Sequence, residues 1–297
     1  MIFLIGSILL SSYLIIAFKL CDRFGVNKFQ AIVINYLACI FTGSVVTGSL
    51  PEFGENVGQG WFLWSLLMGT FFIVNFNLIA ITVEKSGLAV ASVASKLSLI
   101  IPFAFSLFLY NEDPAFFKIA SVLLALVAVV LTLYPNKVAG NDNLNSTGSF
   151  NFQKILLPVF VFITTGLVDT IIKYVQQNFI TESNKNQYLI SSFSAAFLLG
   201  FLILILQLIR GKIKFQAKSV LVGFFIGIPN YFSIWCLMKV LKAYGDISSV
   251  IIPVNNMGIV LFSALVAWLF FKEKLSRINW MGIVLAIVSI LIIAFGK

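Results

Sequence analysis

The sequence predicts an all-α polytopic membrane protein, with ten transmembrane helices arranged as two inverted five-helix repeats around a central cavity. The first observation behind this is composition: the 297 residues are 60% hydrophobic and 10% charged, with a mean hydropathy of +1.03. Soluble domains are about 45–50% apolar and about 25% charged. A soluble globule of this size could not bury so much apolar surface, so lipid must be the solvent.

Ten long apolar segments are the second observation. A helix needs about 20 apolar residues to cross a hydrocarbon core roughly 30 Å thick. The predicted spans are 2–19, 30–48, 61–83, 88–110, 116–134, 155–175, 187–209, 219–240, 247–271 and 279–296. The first lacks a charged leading region and a small-residue cleavage site, so it is predicted to be a transmembrane helix rather than a removed signal peptide.

Similarity between the two halves is the third observation. A polar linker at 135–154 separates a first repeat at 1–134 from a second at 155–297. The segment 28–43 aligns with 185–200, and Glu112 aligns with Glu273 in the turns before the last span of each half. Because each half has an odd number of spans, the second repeat would be inserted upside down, as in many secondary transporters.

The distribution of charge predicts location and orientation. The net charge is +9, but the basic residues lie at the ends of apolar segments rather than in one patch, so a nucleic-acid partner is not expected. Thirteen Lys and Arg residues fall on one side of the predicted membrane and five on the other, which places both termini outside a bacterial plasma membrane. Three scattered cysteines and no histidine predict neither a disulfide framework, nor a metal site, nor a cofactor.

The stretch 248–296 resembles the end of the drug/metabolite transporter superfamily, in its EamA-like branch. It has a proline-interrupted ninth span, the turn FKEKLS at 271–276, and a tenth span that follows at once. The resemblance implies a basket of ten helices that exchanges small polar metabolites by alternating access. Relatives that carry sugar phosphates or nucleotide sugars have a basic pair in the ninth helix, where this chain has Asn255, Asn256 and Ser263, so a phosphorylated substrate is not expected.

Lys96 and Asp169 are the charged residues placed well inside predicted spans. A charged group at the bilayer centre costs about 3 kcal/mol on insertion scales, and such residues are functional candidates by default. Lys96, with Ser92 one turn before it, is predicted to bind a substrate carboxylate; the alternative is a structural pair with Asp169. Asp169 is the candidate for proton coupling; the alternative is a pair with Lys173 one turn later.

Further polar and aromatic side chains complete the predicted substrate site, although interhelical hydrogen bonding or packing would explain each of them as well. The predicted ligands are Asn77, Asn230, Tyr231, Trp235, Asn255 and Asn256, and the predicted hinges are Pro102, Pro229 and Pro253. Glu273 lies beside Lys272 and Lys274 at a helix end, so it is expected to cap a helix or form an ion pair rather than act in catalysis.

We therefore expect a secondary-active transporter that exports small polar metabolites, with amino acids or related carboxylates as the substrate class and protons as candidate coupling ions. No nucleotide-binding loop of the G-x-x-x-x-G-K-[ST] type is present to drive transport. The alternatives are a non-transporting scaffold or sensor and an intramembrane lipid-modifying enzyme. The chain is expected to act as a monomer or a weak homodimer, since one repeat pair could form the whole pathway.

Overall fold

The regular structure of the chain is helical wherever the structure describes it. The computed structural model describes residues 2–48, 57–101, 120, 123–124, 127–128, 131, 152–181, 184–243, 248–273 and 275–295. The nine helices in these residues are α1 (Ile2–Arg23), α2 (Lys28–Thr47), α3 (Phe62–Ser86), α4 (Leu88–Leu97), α5 (Phe152–Asn178), α6 (Lys185–Ile209), α7 (Ala217–Ala243), α8 (Ser248–Leu269) and α9 (Arg277–Phe295).

Six of these helices contain a segment long and apolar enough to cross a membrane: α1, α2, α3, α5, α6 and α7. The chain is accordingly an integral membrane protein. The helix α5 continues from Phe152 to Asn178, past Asp169, and so extends beyond both predicted ends of the 155–175 span. Most of the predicted fifth span at 116–134, most of the linker and Pro102 lie outside the described residues.

The helix α4 is shorter than the predicted 88–110 span. It ends at Leu97, and Ser98 and Leu99 form a turn in which the Ile101 N–H donates to the Ser98 carbonyl at 2.9 Å. Helical backbone resumes at 100–101, where the described segment ends. Interrupted helices inside membranes are tolerated where protein or a water-filled cavity satisfies the freed backbone groups.

The helix α4 occupies the centre of the packing. It contacts α1, α3, α5, α8 and α9, and all its residues are buried except the half-buried Val90 and Lys96. The helix contacts form three matched sets. In the first set α2 packs on α7, and α6 packs on α3. In the second α1 packs on α7, and α5 packs on α3; in the third α1 packs on α8, and α5 packs on α4. Each second combination involves the helices that the repeat alignment equates with the first, although the inverted relation itself stays a prediction.

Two glycines allow close contacts between the helices of the two halves. A Cβ atom at Gly227 of α7 would lie 2.5 Å from the Ala38 Cβ of α2, and one at Gly69 of α3 would lie 2.5 Å from the Ala195 Cβ of α6. Real Cβ atoms essentially never approach so closely, so only glycine fits at either crossing. Small residues at helix crossings are the usual means of close packing in membranes, where van der Waals contact replaces the hydrophobic effect.

Candidate functional site

The side chain of Lys96 lies on α4, a short helix that packs against five others. Lys96 is the ninth residue of α4, about 13 Å from the helix start at 1.5 Å per residue. It is half-buried, while its neighbours Ser95 and Leu97 are buried. The helix ends directly after it, at Leu97. A cation in this position needs an anionic or polar partner, because the surrounding apolar side chains cannot solvate it.

The Asp169 carboxylate is the negative charge that interacts electrostatically with the Lys96 ammonium. It lies on α5, which packs against α4, and each group acts electrostatically on the other. They are not in contact, however: the ion pairs within 4.0 Å among the described residues are Lys19–Glu273, Lys28–Asp22 and Lys28–Glu84. Two packed helices therefore carry a cation and an anion that form no ion pair with each other within 4.0 Å. The side chain of Lys173, the alternative partner of Asp169, lies outside the described side chains.

Three buried oxygen atoms on α4, α8 and α1 have no hydrogen-bond partner among the described residues. The first two are the Ser92 hydroxyl, one turn before Lys96, and the Asn255 side-chain oxygen on α8, which packs against α4. The helix α1, which packs against both α4 and α8, adds the equally unpartnered hydroxyl of Ser7. An unpaired polar group in an apolar interior costs about 1–3 kcal/mol, so these oxygens favour a region that receives polar ligands.

Sequence reasoning missed Ser7, and little in the sequence could have identified it. Serine and threonine hydroxyls in membrane helices commonly bond to a carbonyl in the preceding turn, as Thr42 and Thr82 do here at 2.7 Å. A serine that makes this bond and one that does not are indistinguishable in the sequence. Only the helix packing reveals that Ser7 is buried without such a bond.

Three of the predicted asparagine ligands have different surroundings. The Asn230 amide donates to the Asn35 side-chain oxygen at 3.1 Å, in the buried contact between α7 and α2. The Asn77 amide donates to the Ile73 carbonyl of its own helix at 2.7 Å. Asn256 is buried on α8 beside Asn255. The first two amides thus have protein partners, and a substrate role for any of the three stays a prediction.

The predicted aromatic ligands Tyr231 and Trp235 share a separate small pocket. Both lie on α7, and the pocket is completed by Asn186, Leu189, Phe193 and Ile234. The ammonium of Lys239 lies 5.2 Å from the centre of the Trp235 ring, a cation–π distance. Lys96 does not line this pocket. The structure thus brings Tyr231 and Trp235 together on α7, whereas Lys96 lies on α4, Asp169 on α5 and Asn255 on α8.

The expectation for Glu273 is confirmed: it both caps a helix and forms an ion pair. Its carboxylate accepts hydrogen bonds from the Leu88 N–H at 2.9 and 3.1 Å, at the first residue of α4. It also pairs with the Lys19 ammonium of α1 at 3.2 Å. The FKEKLS turn therefore contacts the helix that carries Lys96.

The second half of the chain matches a known protein family. Residues 153–295 match the EamA-like transporter family. This match places residues 153–295 in the drug/metabolite transporter superfamily. An uncharacterized protein of Haemophilus influenzae is 24% identical over 295 residues, which cover 97% of this chain and 95% of the relative.

A protein whose crystal structure has been solved has a similar fold. It aligns with a TM-score of 0.60 and 14% sequence identity, over 98% of this chain and 94% of the other. At this level of identity the likeness concerns the fold alone. The family match, together with the apolar helices, shows a membrane transporter of small molecules, in a family of transporters rather than enzymes.

Proposed function

We propose that the protein is a secondary-active exporter of amino acids, which it binds as zwitterions between Lys96 and Asp169. The substrate carboxylate would contact the Lys96 ammonium, with the Ser92 hydroxyl beside it. The substrate ammonium group would face Asp169, and the Asn255 oxygen is a further acceptor for its N–H donors. Neutral side chains of the protein would then determine which amino acids are accepted as substrates.

The separation of the two charges is the observation that carries this proposal. Lys96 and Asp169 act on each other electrostatically but form no ion pair within 4.0 Å. Burying an isolated charge is costly unless it is paired and hydrogen-bonded. A ligand that carries both signs satisfies both residues at once. A simple dicarboxylate would leave one of its carboxylates facing Asp169, and an amine would leave Lys96 without an anion.

Matched glycine contacts support a construction from two inverted repeats, which alternating access would use. Gly43 of α2 lies against Ile190 of α6, and Gly200 of α6 lies against Val33 of α2. Under the alignment of 28–43 with 185–200, these are the same two positions with the helices exchanged. A two-fold axis between the repeats would produce such reciprocal contacts, and rocking of one repeat against the other would open the site to each side in turn.

A thermal-stability screen of the purified protein tests the substrate class. Amino acids, dicarboxylates, amines and neutral polyols would be added separately to wild type and to Lys96→Met. A ligand that binds only the folded state raises the unfolding temperature. At a ligand concentration 100 times its Kd, it adds about 2.7 kcal/mol to the free energy of unfolding. We expect stabilisation by amino acids, little effect of amines and dicarboxylates, and loss of the amino-acid effect in Lys96→Met.

The matched control is Lys212→Met, which removes an exposed loop lysine and the same unit of charge. It should keep the amino-acid effect in full. Stabilisation by amines or polyols that persists in Lys96→Met would refute the substrate assignment. Absence of any ligand effect, together with no counterflow of amino acids into proteoliposomes, would instead favour the scaffold or sensor.

A further inference from the structure

The start of α4 lacks a capping side chain of its own. Its preceding residue is Gly87, with a left-handed φ of 98°. The first four N–H groups of any helix have no partner within the helix, and a Ser, Thr, Asp or Asn at this position usually provides one. Glycine has no side chain to do so. The start of α4 therefore requires an acceptor from elsewhere in the chain.

Glu273 supplies that acceptor from the opposite half of the protein. Its two carboxylate oxygens lie 2.9 and 3.1 Å from the Leu88 nitrogen, and one lies 3.5 Å from the Ala89 nitrogen. A Cβ atom at position 87 would approach the same carboxylate to 2.9 Å, so glycine also makes room for it. A carboxylate at a helix N-terminus gains further from the helix dipole.

The turn that carries Glu273 is itself fixed. The Glu273 N–H donates to the Ala267 carbonyl near the end of α8 at 3.0 Å, and Lys272 adopts a left-handed φ of 51°. The ion pair with Lys19 ties the same carboxylate to α1. One side chain thus connects α1, the start of α4 and the turn between α8 and α9.

The position of Lys96 depends on this connection. Lys96 follows Leu88 by about two helical turns, and the helix is interrupted just beyond it at Ser98 and Leu99. The turn at Ser98 and Leu99 interrupts the helix at its other end, and the hydrogen bonds from Leu88 to Glu273 fix its start. We propose that Glu273 is a positioning residue, which holds α4 so that Lys96 is presented at the correct depth to the substrate. Its link to transport rests on the proposed function of Lys96.

The first test measures how firmly the start of α4 is held, in the absence of any substrate. Backbone hydrogen–deuterium exchange of the segment 87–97 would be compared in wild-type protein, Glu273→Gln and Lys19→Gln. Loss of a hydrogen bond to a charged group should speed exchange at Leu88 and Ala89 about 10-fold in Glu273→Gln. Lys19→Gln keeps the cap and should change exchange by less than about 2-fold.

The charge-exchanged double variant, Lys19→Glu with Glu273→Lys, separates the cap from the ion pair. It restores an ion pair between the two positions, but a lysine cannot accept hydrogen bonds from N–H groups. Its α4 exchange should therefore stay at least as fast as that of Glu273→Gln. Full recovery of wild-type exchange in the double variant, or unchanged exchange in Glu273→Gln, would overturn the positioning role.

The second test measures transport, to show whether the position of α4 affects substrate binding. In proteoliposome counterflow of L-alanine, Glu273→Gln should raise KM about 10-fold with a smaller change in maximal rate. The control is Glu84→Gln, which removes an exposed carboxylate of another ion pair and should leave KM unchanged. Faster α4 exchange with unchanged KM would overturn the link to the substrate. If Lys96→Met transports normally while Glu273→Gln still loosens α4, the proposed function fails and the positioning of α4 stands.

Discussion

Two helix contacts in this molecule each place a glycine against an isoleucine but differ in chemistry. At the first, α5 meets the helical residues 100–101 that follow the turn after α4, and a Cβ atom at Gly166 would meet the Ile101 side chain at 2.3 Å. At the second, α1 crosses α8, and a Cβ atom at Gly258 would meet the Ile8 side chain at 2.5 Å. With the halves aligned, glycine and isoleucine simply exchange places between the two crossings.

The charged residues occur at only one of these crossings. The counterparts of Asp169 and Lys96, about 158 residues away in the aligned halves, are Ser11 and Pro253. The glycine–isoleucine contact thus occurs at both crossings, whereas the charges occur at one. A packing contact is needed at each crossing, but the proposed substrate, with one carboxylate and one ammonium group, would need only one site. We therefore assign the glycine contacts, which occur at both crossings, to the scaffold, and the charged residues, which occur at one, to the proposed site.

The largest expected effects are on the scaffold, and they should be equal in the two halves. Gly69→Ala and Gly227→Ala each place a methyl group within 2.6 Å of a backbone oxygen, that of Ser192 and that of Asn35 respectively. Because a backbone carbonyl cannot rotate away as a side chain can, each change should destabilise the protein by about 3 kcal/mol. Thermal unfolding in detergent measures both.

Gly58→Ala is the control for this prediction, since a Cβ atom there meets nothing within 4 Å. It should leave the unfolding temperature unchanged. A large loss at Gly227 with none at Gly69 would contradict the equivalence of the two halves.

The next effect should appear at the charged crossing alone. Asp169→Asn should reduce amino-acid transport about 10- to 100-fold, because it removes a charge-assisted contact worth about 1.5–3 kcal/mol. It should also abolish any response of transport to an imposed pH gradient. Counterflow and pH-jump assays in proteoliposomes measure the two effects.

Ser11→Asn introduces the same amide at the counterpart position and should retain at least half of wild-type transport. An equal loss in the two variants would mean that the crossings do not differ in function.

The smallest effect distinguishes two serines on neighbouring turns. The Ser92 hydroxyl is buried without a partner, whereas the Ser98 hydroxyl donates to the Ser95 carbonyl at 2.6 Å. Ser92→Ala should weaken amino-acid binding about 5-fold, or about 1 kcal/mol, with unchanged stability of the ligand-free protein. Ser98→Ala should lower stability by about 1 kcal/mol and leave binding unchanged. Titration calorimetry and thermal unfolding would reveal any reversal of this pattern.

The sequence was sufficient to predict the long apolar helices, but it predicted α4 as longer than it is, and it did not predict the partners of the polar side chains. Hydropathy identified the spans, and even α5 is a single helix despite Asp169, because one charged residue does not outweigh a long apolar run. Lys96 and Asp169 were identifiable because charges are rare inside spans. Asn230 was predicted as a ligand, yet its amide bonds to Asn35, since the direction of a helical side chain depends on which neighbour packs there.

Glu273 is a second residue whose contact partner the sequence could not identify. Its sequence context indicated a cap or an ion pair, but the helix that it caps lies in the other half of the chain. No local pattern specifies a partner at that distance in sequence. The role of such a residue emerges only when the helices are packed.

The most direct measurement compares amino-acid counterflow in Lys96→Met, Asp169→Asn and the double variant. If the two residues served only to neutralise each other, each single variant would leave one buried charge uncompensated, and removing both would restore the protein. If both bind the substrate, the double variant has lost two contacts and cannot recover. We predict that the double variant transports no better than either single variant; recovery to near wild-type rates would contradict the account.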